Sequence, residues 1–399
     1  MSSASPNTRF PSAIRFLRWA LCGLLVVVCS MQILAQSSLL TEEEYETNGR
    51  QFAALLSKQK IEPIIDLFDL TTTYETITEG LDLDERRRIL FRDNYRANVL
   101  RSLRTRLSQC DSARFLGVQW VDNERRILIR LQDNATTSYY YLGFTLARDE
   151  FSGGIKIIDL YDYLAGEAIS QTTRGMLVDL LAVQKQAIKD KAPELVEAYL
   201  ENADRVEEAS RLMVAHHDKE VLEILRPLPD SWKKLRYVLA LRFMASQQVD
   251  HDECQRVAQD WAQAFPGDPS LDLVLSRTDE LLKKYADAIR HIDALRERIE
   301  EDSYLIYLKA ELCLKNNDLE GANTNAWKVL EKDPSLDQAW LILVKSALLA
   351  KDHPATFVIV KKFRRKYSPD SLTRLVTSEP RYAEAFREFS EYLKSTGKE

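Results

Sequence analysis

Apolar residues first recur at a spacing of three to four. Phe52, Leu55 and Leu56, then Ile64, Ile65, Leu67 and Phe68, predict helix from Glu42 to Leu70 with a break at Pro63. A second helix follows the Asp82-Leu83-Asp84 cap region and carries Ile89, Leu90, Tyr95, Val99, Leu100, Leu103 and Leu107 at helical spacing towards Cys110. The period then falls to two. Residues 115–121, 126–132, 137–147 and 155–161 are β-prone runs, and Asp122-Asn123, Asp133-Asn134 and Ser152-Gly153-Gly154 between them are turn residues, so an antiparallel meander is expected. Alternation within Tyr139 to Leu146 puts Tyr140, Leu142, Phe144 and Leu146 on one face and Tyr139, Tyr141, Gly143 and Thr145 on the other.

Helical spacing returns after the meander and continues to the end of the chain. Residues 206–215 should pair with 220–226, and 232–246 with 253–265. A last helix over 375–395 gathers Tyr382, Phe386, Phe389 and Leu393 on one face. Glycine and proline mark the change of texture. Nine of the 12 glycines lie at or before Gly175, whereas no proline occurs between Pro63 and Pro193 and eight follow Pro193, at intervals suited to turns between helices. A boundary therefore falls near 170–200. The organisation expected is a leader over 1–35, an α+β domain over 36–175, a connecting helix over 176–202, helical hairpins over 203–370 and a capping helix over 371–399.

The leader rests on Arg9, Arg15 and Arg18 ahead of the apolar run Trp19 to Val28, with small Ala35 as the residue behind which a signal peptidase would cut. Export is expected, periplasmic or extracellular in a bacterium; an uncleaved leader would instead anchor the chain to a membrane. Composition adds exclusions. Hydrophobic residues at 45% and charged residues at 29% fit a globular protein and exclude wholesale disorder. The net charge is −6, and removing the three leader arginines leaves 52 basic against 61 acidic side chains, so no global field draws the chain to nucleic acid. Cys110, Cys254 and Cys313 are too few for a disulfide framework, and Cys254 and Cys313 read as small buried hydrophobes.

Internal recurrence is the most specific signal. Asp268-Pro269-Ser270-Leu271-Asp272 returns as Asp333-Pro334-Ser335-Leu336-Asp337, and Ala288 and Ala322 are 34 residues apart. Tyr285 and Leu319 open second helices, Ala310 and Ala322 are small residues where two helices touch, Pro334 stops a helix, and Trp340 is a large apolar residue early in the next. On these residues the second half resembles a tetratricopeptide repeat array, strongly over 303–336, well over 269–302 and 337–370, and weakly over 200–268. Helices followed by a long-stranded meander resemble the cone-shaped nuclear-transport-factor-two-like fold over about 42–166. The fold class implied is an α+β cone-type domain followed by an all-α tetratricopeptide solenoid.

Catalytic signals are sparse. No metal-ligand spacing, phosphate loop or nucleophile elbow is present, so no metal or cofactor is expected. His216-His217-Asp218 reads as a solvated turn. Asp159 and Tyr161 form the one acid/base pair that a cone pocket could use. The tracts Lys361-Lys362-Phe363-Arg364-Arg365-Lys366 and Arg86-Arg87-Arg88, the latter with Arg92, Arg96, Arg101, Arg104 and Arg106, read as solvated helical faces. The expected function is a non-enzymatic, exported scaffold that binds a protein or peptide; ligand binding or acid/base chemistry in the cone is the alternative, and a structural part of an envelope assembly a third class. In the resemblance, first helices of successive repeats meet the partner, which singles out Tyr304, Tyr307, Glu311 and Lys315 on one helix and Gln338, Leu341 and Lys345 on the next.

Overall fold

The computed structural model describes residues 40–108, 110–121, 124–133, 138–268, 270–299, 302–365 and 379–397. The leader, the first residues of the expected α+β domain and residues 366–378 lie outside this set. Two compact units emerge, and they interleave along the chain. One comprises 1–79, 83–131 and 143–160; the other comprises 80–82, 132–142 and 161–399.

In the first unit, α1 (Glu42–Leu56) starts in a capping box. Thr41 Oγ1 accepts from Glu44 N at 3.2 Å while the Glu44 carboxylate accepts from Thr41 N at 2.8 Å. Gln59, with φ 58°, ends that run, and α2 (Glu62–Ile65) carries Pro63 in its first turn. The expected break is thus a turn between two helices. A third helix, α3 (Leu70–Thr78), has no counterpart in the sequence reading because its β-branched threonines are poor helix formers. Asp69 nucleates it by accepting from Thr71 N and Thr72 N, each at 3.1 Å, and Thr73 Oγ1 donates to Ile158 O at 2.7 Å. Then comes α4 (Glu85–Ser108), which buries Tyr95, Leu103 and Leu107 but leaves Ile89 44% exposed, so Ile89 is not part of the apolar face expected of it.

The strands are β1 (Ser112–Val121), β2 (Glu124–Asp133), β3 (Ser138–Arg148), β4 (Ile155–Asp162) and the short β5 (Glu167–Ala168), in the order β1-β2-β3-β4-β5. The sheet is antiparallel, and β4 meets β5 with Tyr161 opposite Ala168. Helix α1 crosses β1 so closely at Gly49 that any side chain there would collide with the Phe115 ring. Phe52 meets Phe144 edge to face at 5.6 Å, and Ile127, Ile129 and Leu131 complete the buried layer. Both faces of β3 are buried: Leu142, Phe144 and Leu146 on one, Tyr141 and Thr145 on the other.

The rest is helical. Residues 176–202, expected as one helix, hold the end of α5 (Ile169–Asp190) and the start of α6 (Glu194–Val214), because Lys191 adopts a left-handed conformation and Pro193 cannot continue the helix. Thereafter helices pack in consecutive pairs. These are α6 with α7 (Asp218–Leu225); then, after the single turn α8 (Asp230–Lys233), α9 (Arg236–Val249) with α10 (His251–Ala264), α11 (Leu271–Leu281) with α12 (Tyr285–Arg298), α13 (Ser303–Lys315) with α14 (Leu319–Lys332), and α15 (Gln338–Leu349) with α16 (His353–Arg364). Helix α17 (Pro380–Thr396) packs on α15 and α16 through Tyr382, Ala385 and Phe389.

The period of these pairs is written in their turns. Lys283, Asn317 and Lys351, 34 residues apart, are each left-handed and each followed by the N-cap of a second helix. The resulting loop satisfies the end of the first helix by a bond spanning five residues, Lys284 N to Asp279 O at 2.7 Å and Asp318 N to Cys313 O at 2.8 Å. Asp250, Asp318 and Asp352 then cap the second helices by accepting from the backbone N–H three residues on, at 2.9, 2.9 and 3.0 Å. Second helices bury equivalent residues in register: Cys254, Ala288, Ala322 and Thr356, all 0% exposed, followed by Trp261, Leu295, Val329 and Phe363 two turns on. Cys110, Cys254 and Cys313 are all buried and free of disulfides.

Candidate functional site

The 34-residue register also aligns polar side chains on the first helices. Arg277 on α11, Glu311 on α13 and Lys345 on α15 occupy one equivalent row, and Leu273, Tyr307 and Leu341 another, one turn earlier. A helix buries one stripe against its partners, so the next stripe round must carry groups that satisfy each other or meet water. Here they satisfy each other across helices. Arg277 donates to Gln247 Oε1 at 3.1 Å and pairs with Glu280 at 2.5 Å; Lys315 bridges Glu280 at 2.7 Å and Glu311 at 2.9 Å. Burial pushes the Glu280 carboxyl up, but Arg277 and Lys315 outweigh it and hold its pKa below the ordinary value. Burial likewise disfavours charge on Lys315, and Glu311 and Glu280 more than compensate.

Lys345 is different. Among the described residues the carboxylate within ion-pair range is that of Glu379, 4.0 Å away; its ammonium stands 4.6 Å over the Tyr382 ring, and Arg381 covers the same ring at 4.5 Å. Burial therefore lowers its pKa without full compensation. Lys345 is the cation of this row with most to gain from a further acceptor.

Tyr304 does not lie on an open face. It is 4% exposed, and its ring meets Tyr139 edge to face at 4.9 Å. Tyr139 belongs to the start of β3, residues that count with the helical unit. The row of rings runs Tyr161, Tyr163, Tyr141, Tyr139, Tyr304, Tyr307, with neighbouring centroids 5.0, 6.4, 5.8, 4.9 and 5.4 Å apart. Tyr141 also donates to Asp302 Oδ2 at 2.9 Å, and Asp302 Oδ1 caps α13 by accepting from Tyr304 N at 3.0 Å. Burial pushes the Tyr139 and Tyr307 phenols well above their ordinary range, so both keep their protons. A polar and aromatic segment in extended conformation thus already rests on the start of α13.

Of the residues singled out in the sequence, Tyr307, Glu311, Lys315, Leu341 and Lys345 are half-buried on this face and Gln338 is exposed. Tyr285 and Leu319 open α12 and α14; Ala288, Ala310 and Ala322 are fully buried where helices cross; Pro334 is exposed just after α14; and Trp340 stands edge-on to Trp327 at 5.7 Å. Sequence reading missed Arg277 and Glu280, although stepping Glu311 back by one period finds Arg277. Strand alternation puts Tyr139 and Tyr141 on one face, but nothing in it announces that they meet α13.

The acid/base candidates are separated by the division into units, Asp159 falling in the first and Tyr161 in the second. Asp159 accepts from Leu160 N at 2.8 Å, while Tyr161 is buried against Tyr163. His217 is paired at 3.6 Å with Glu220 on the surface. The arginines of α4 at 86–88, 92, 96, 101 and 104 are exposed, as are Lys361, Lys362, Arg364 and Arg365, with Lys362 5.2 Å over Trp327. Among the described residues no group of three or more His, Cys, Asp or Glu is placed to hold a metal ion, and no helix is long and apolar enough to cross a membrane. No protein-family model matches the chain, and a search of curated proteins finds no match.

Proposed function

We propose that this chain is an exported, non-enzymatic protein-binding scaffold whose helical pairs form a tetratricopeptide-type array, preceded by a nuclear-transport-factor-two-like domain. The observation that carries the reading is the alignment of Arg277, Glu311 and Lys345 at equal spacing on successive first helices, beside a tyrosine-rich extended segment seated on α13. A face that receives such a segment from its own chain has the chemistry to receive a protein or peptide: aromatic edges, paired charges and an under-compensated lysine. Nucleic acid is disfavoured by the acidic balance and no cofactor is called for. In this reading the leader directs export, with the membrane involved only if 1–35 is retained.

Photo-crosslinkers placed at Gln338 and Glu311, with one at Glu331 on a second helix as control, test it in the native host. Partner crosslinks at 338 and 311 that weaken in Tyr307→Phe/Lys345→Gln are expected. Equal crosslinking from Glu331, or capture indifferent to the double substitution, would move the binding surface elsewhere. Intact mass of the protein from the envelope fraction, expected to begin near Gln36, tests export.

A further inference from the structure

The first and last helical pairs carry exposed stripes of opposite charge. On α6 the acids Glu194, Glu197, Glu201 and Asp204 are spaced by three, four and three, which sets them on one exposed face with Leu200, 47% exposed, at its edge. Among the described residues no ion pair reaches these four acids. Arg205 is exposed beside them, and Arg211 is taken by Glu208 at 2.5 Å, so the stripe stays acidic. On α16 the exposed residues Val358, Lys361, Lys362 and Arg365 again fall on one helical face. Val358 is 52% exposed, and Lys362 stands 5.2 Å over the ring of Trp327 on α14, itself 37% exposed. Lys328 and Glu331, on either side of that ring in sequence, add one charge of each sign. Two periods back the equivalent positions are Arg290, Asp293, Ala294 and Glu297, of mixed sign, so the basic stripe belongs to the last pair and not to the repeat.

We propose that copies of this chain join head to tail, the acidic stripe of α6 in one seated on the basic stripe of α16 in the next. The complementarity points to a second copy. Both stripes follow helical spacing and each includes an exposed apolar residue, so two helices side by side set acid against base over about 10 Å while covering Leu200 and Val358. The stripes of a single chain are kept apart, because α9–α10, α11–α12 and α13–α14 pack in succession between them. Residues 366–378 do not answer the basic stripe either, since in sequence they hold Lys366 and Arg374 against Asp370. A contact that uses different surfaces on its two copies leaves one stripe of each kind open at the ends of the assembly, so it repeats. Exposed charge pairs each contribute little, which makes the contact weak, concentration-dependent and sensitive to salt.

Sedimentation velocity of the full chain tests this in about 0.1 M and about 1 M salt, where screening lengths are about 10 Å and about 3 Å. The parent should gain mass with concentration in the lower salt and lose that gain in the higher. Glu197→Lys/Glu201→Lys and Lys361→Glu/Lys362→Glu should each stay monomeric, with thermal midpoints near that of the parent. Mixed one to one they should associate, as should the chain carrying all four substitutions, because each then offers acid to base again. Disulfide trapping is a second measurement that reverses no charge. In the chain with Cys22→Ser and Cys29→Ser, whose other three thiols are buried, Leu200→Cys mixed with Val358→Cys should form the mixed disulfide faster than either variant forms its own. A parent that stays monomeric in low salt overturns the proposal and leaves the stripes to other partners. Association that survives either reversal, as a contact through the leader would, also overturns it, as does a mixture that fails to associate or a preference for disulfides between identical variants, the mark of a two-fold contact.

Discussion

Arg242 and Glu253 join α9 to α10 through a pair that is almost completely withdrawn from water. Their side chains are 7% and 6% exposed; Nη2 and Nε of Arg242 donate to Glu253 Oε1 at 2.7 and 3.1 Å, and Arg242 Nη1 reaches Asp260 at 3.1 Å. Arg242→Met leaves the Glu253 carboxylate buried with Arg256 alone, which holds Oε2 at 2.9 Å. Breaking a buried pair costs about 3–5 kcal/mol, and the surviving Arg256 contact puts the loss at the lower end, about 3 kcal/mol. The pH dependence has a definite sign. Burial pushes the Glu253 carboxyl up, yet the hydrogen bonds from Arg242 and Arg256 leave its pKa below the ordinary value. This stability is present above the unfolded carboxyl pKa, about 4.3, and is lost as the pH falls through the lower folded value. Without Arg242 the burial effect dominates and the pKa of Glu253 rises, so the variant should close the gap to the parent as the pH drops below about 5. Urea unfolding followed at the buried Trp261 of α10, with amide exchange over α9 and α10 as a local readout, measures both effects. Arg242→Met/Glu253→Leu, which removes both charges, should recover most of the loss. A double variant no more stable than the single one, or a single variant within about 0.5 kcal/mol of the parent at neutral pH, the range of ordinary surface substitutions, would refute the pair as described.

Ala322→Leu inserts bulk at a fully buried crossing of α13 and α14 and should cost about 1–3 kcal/mol by calorimetry or urea unfolding, whereas Ala322→Gly should cost about 1 kcal/mol or less from helix propensity. Asp352→Ala removes the cap on Ala355 N and should cost about 1 kcal/mol, with Asp352→Asn retaining most of it. Burial pushes the Cys313 thiol up to about 11, so in the chain carrying Cys22→Ser and Cys29→Ser a thiol reagent at pH 8 should find no fast-reacting cysteine until the helices unfold.

The same pair explains where sequence reading lost the repeat. Position 242 is equivalent to Ser276, Ala310 and Val344, and position 253 to Asp287, Gly321 and Ala355. At this crossing most pairs of helices meet through small side chains; the α9–α10 pair meets through a salt bridge, and the pattern of small residues disappears although the geometry does not. Lys309 is a similar case, paired with Asp293 at 2.6 Å at a position whose equivalents one period away are Leu275 and Leu343. The four long strands were legible because alternation and turn residues agree over each of them. The three-residue steps of α3 were not, since its threonines argue for strand and only the Asp69 cap argues for helix. The tyrosine row was invisible for another reason: Tyr139 and Tyr304 belong to separate periodic patterns, and no local rule joins them.

The bond from Tyr141 to Asp302 spans 161 residues. A ribosome adding about 5–20 residues each second takes roughly 8–30 s to cover that distance. For that interval Tyr139 and Tyr141 have emerged while α13, the helix they rest on, has not yet been made. Strand β3 must therefore wait half-employed, its later residues able to join the sheet and its first ones exposing tyrosine rings, until the third of the 34-residue pairs arrives. A holdase that shields apolar segments would act on this stretch, and a chain stalled between residues 142 and 302 would present it for as long as the stall lasts.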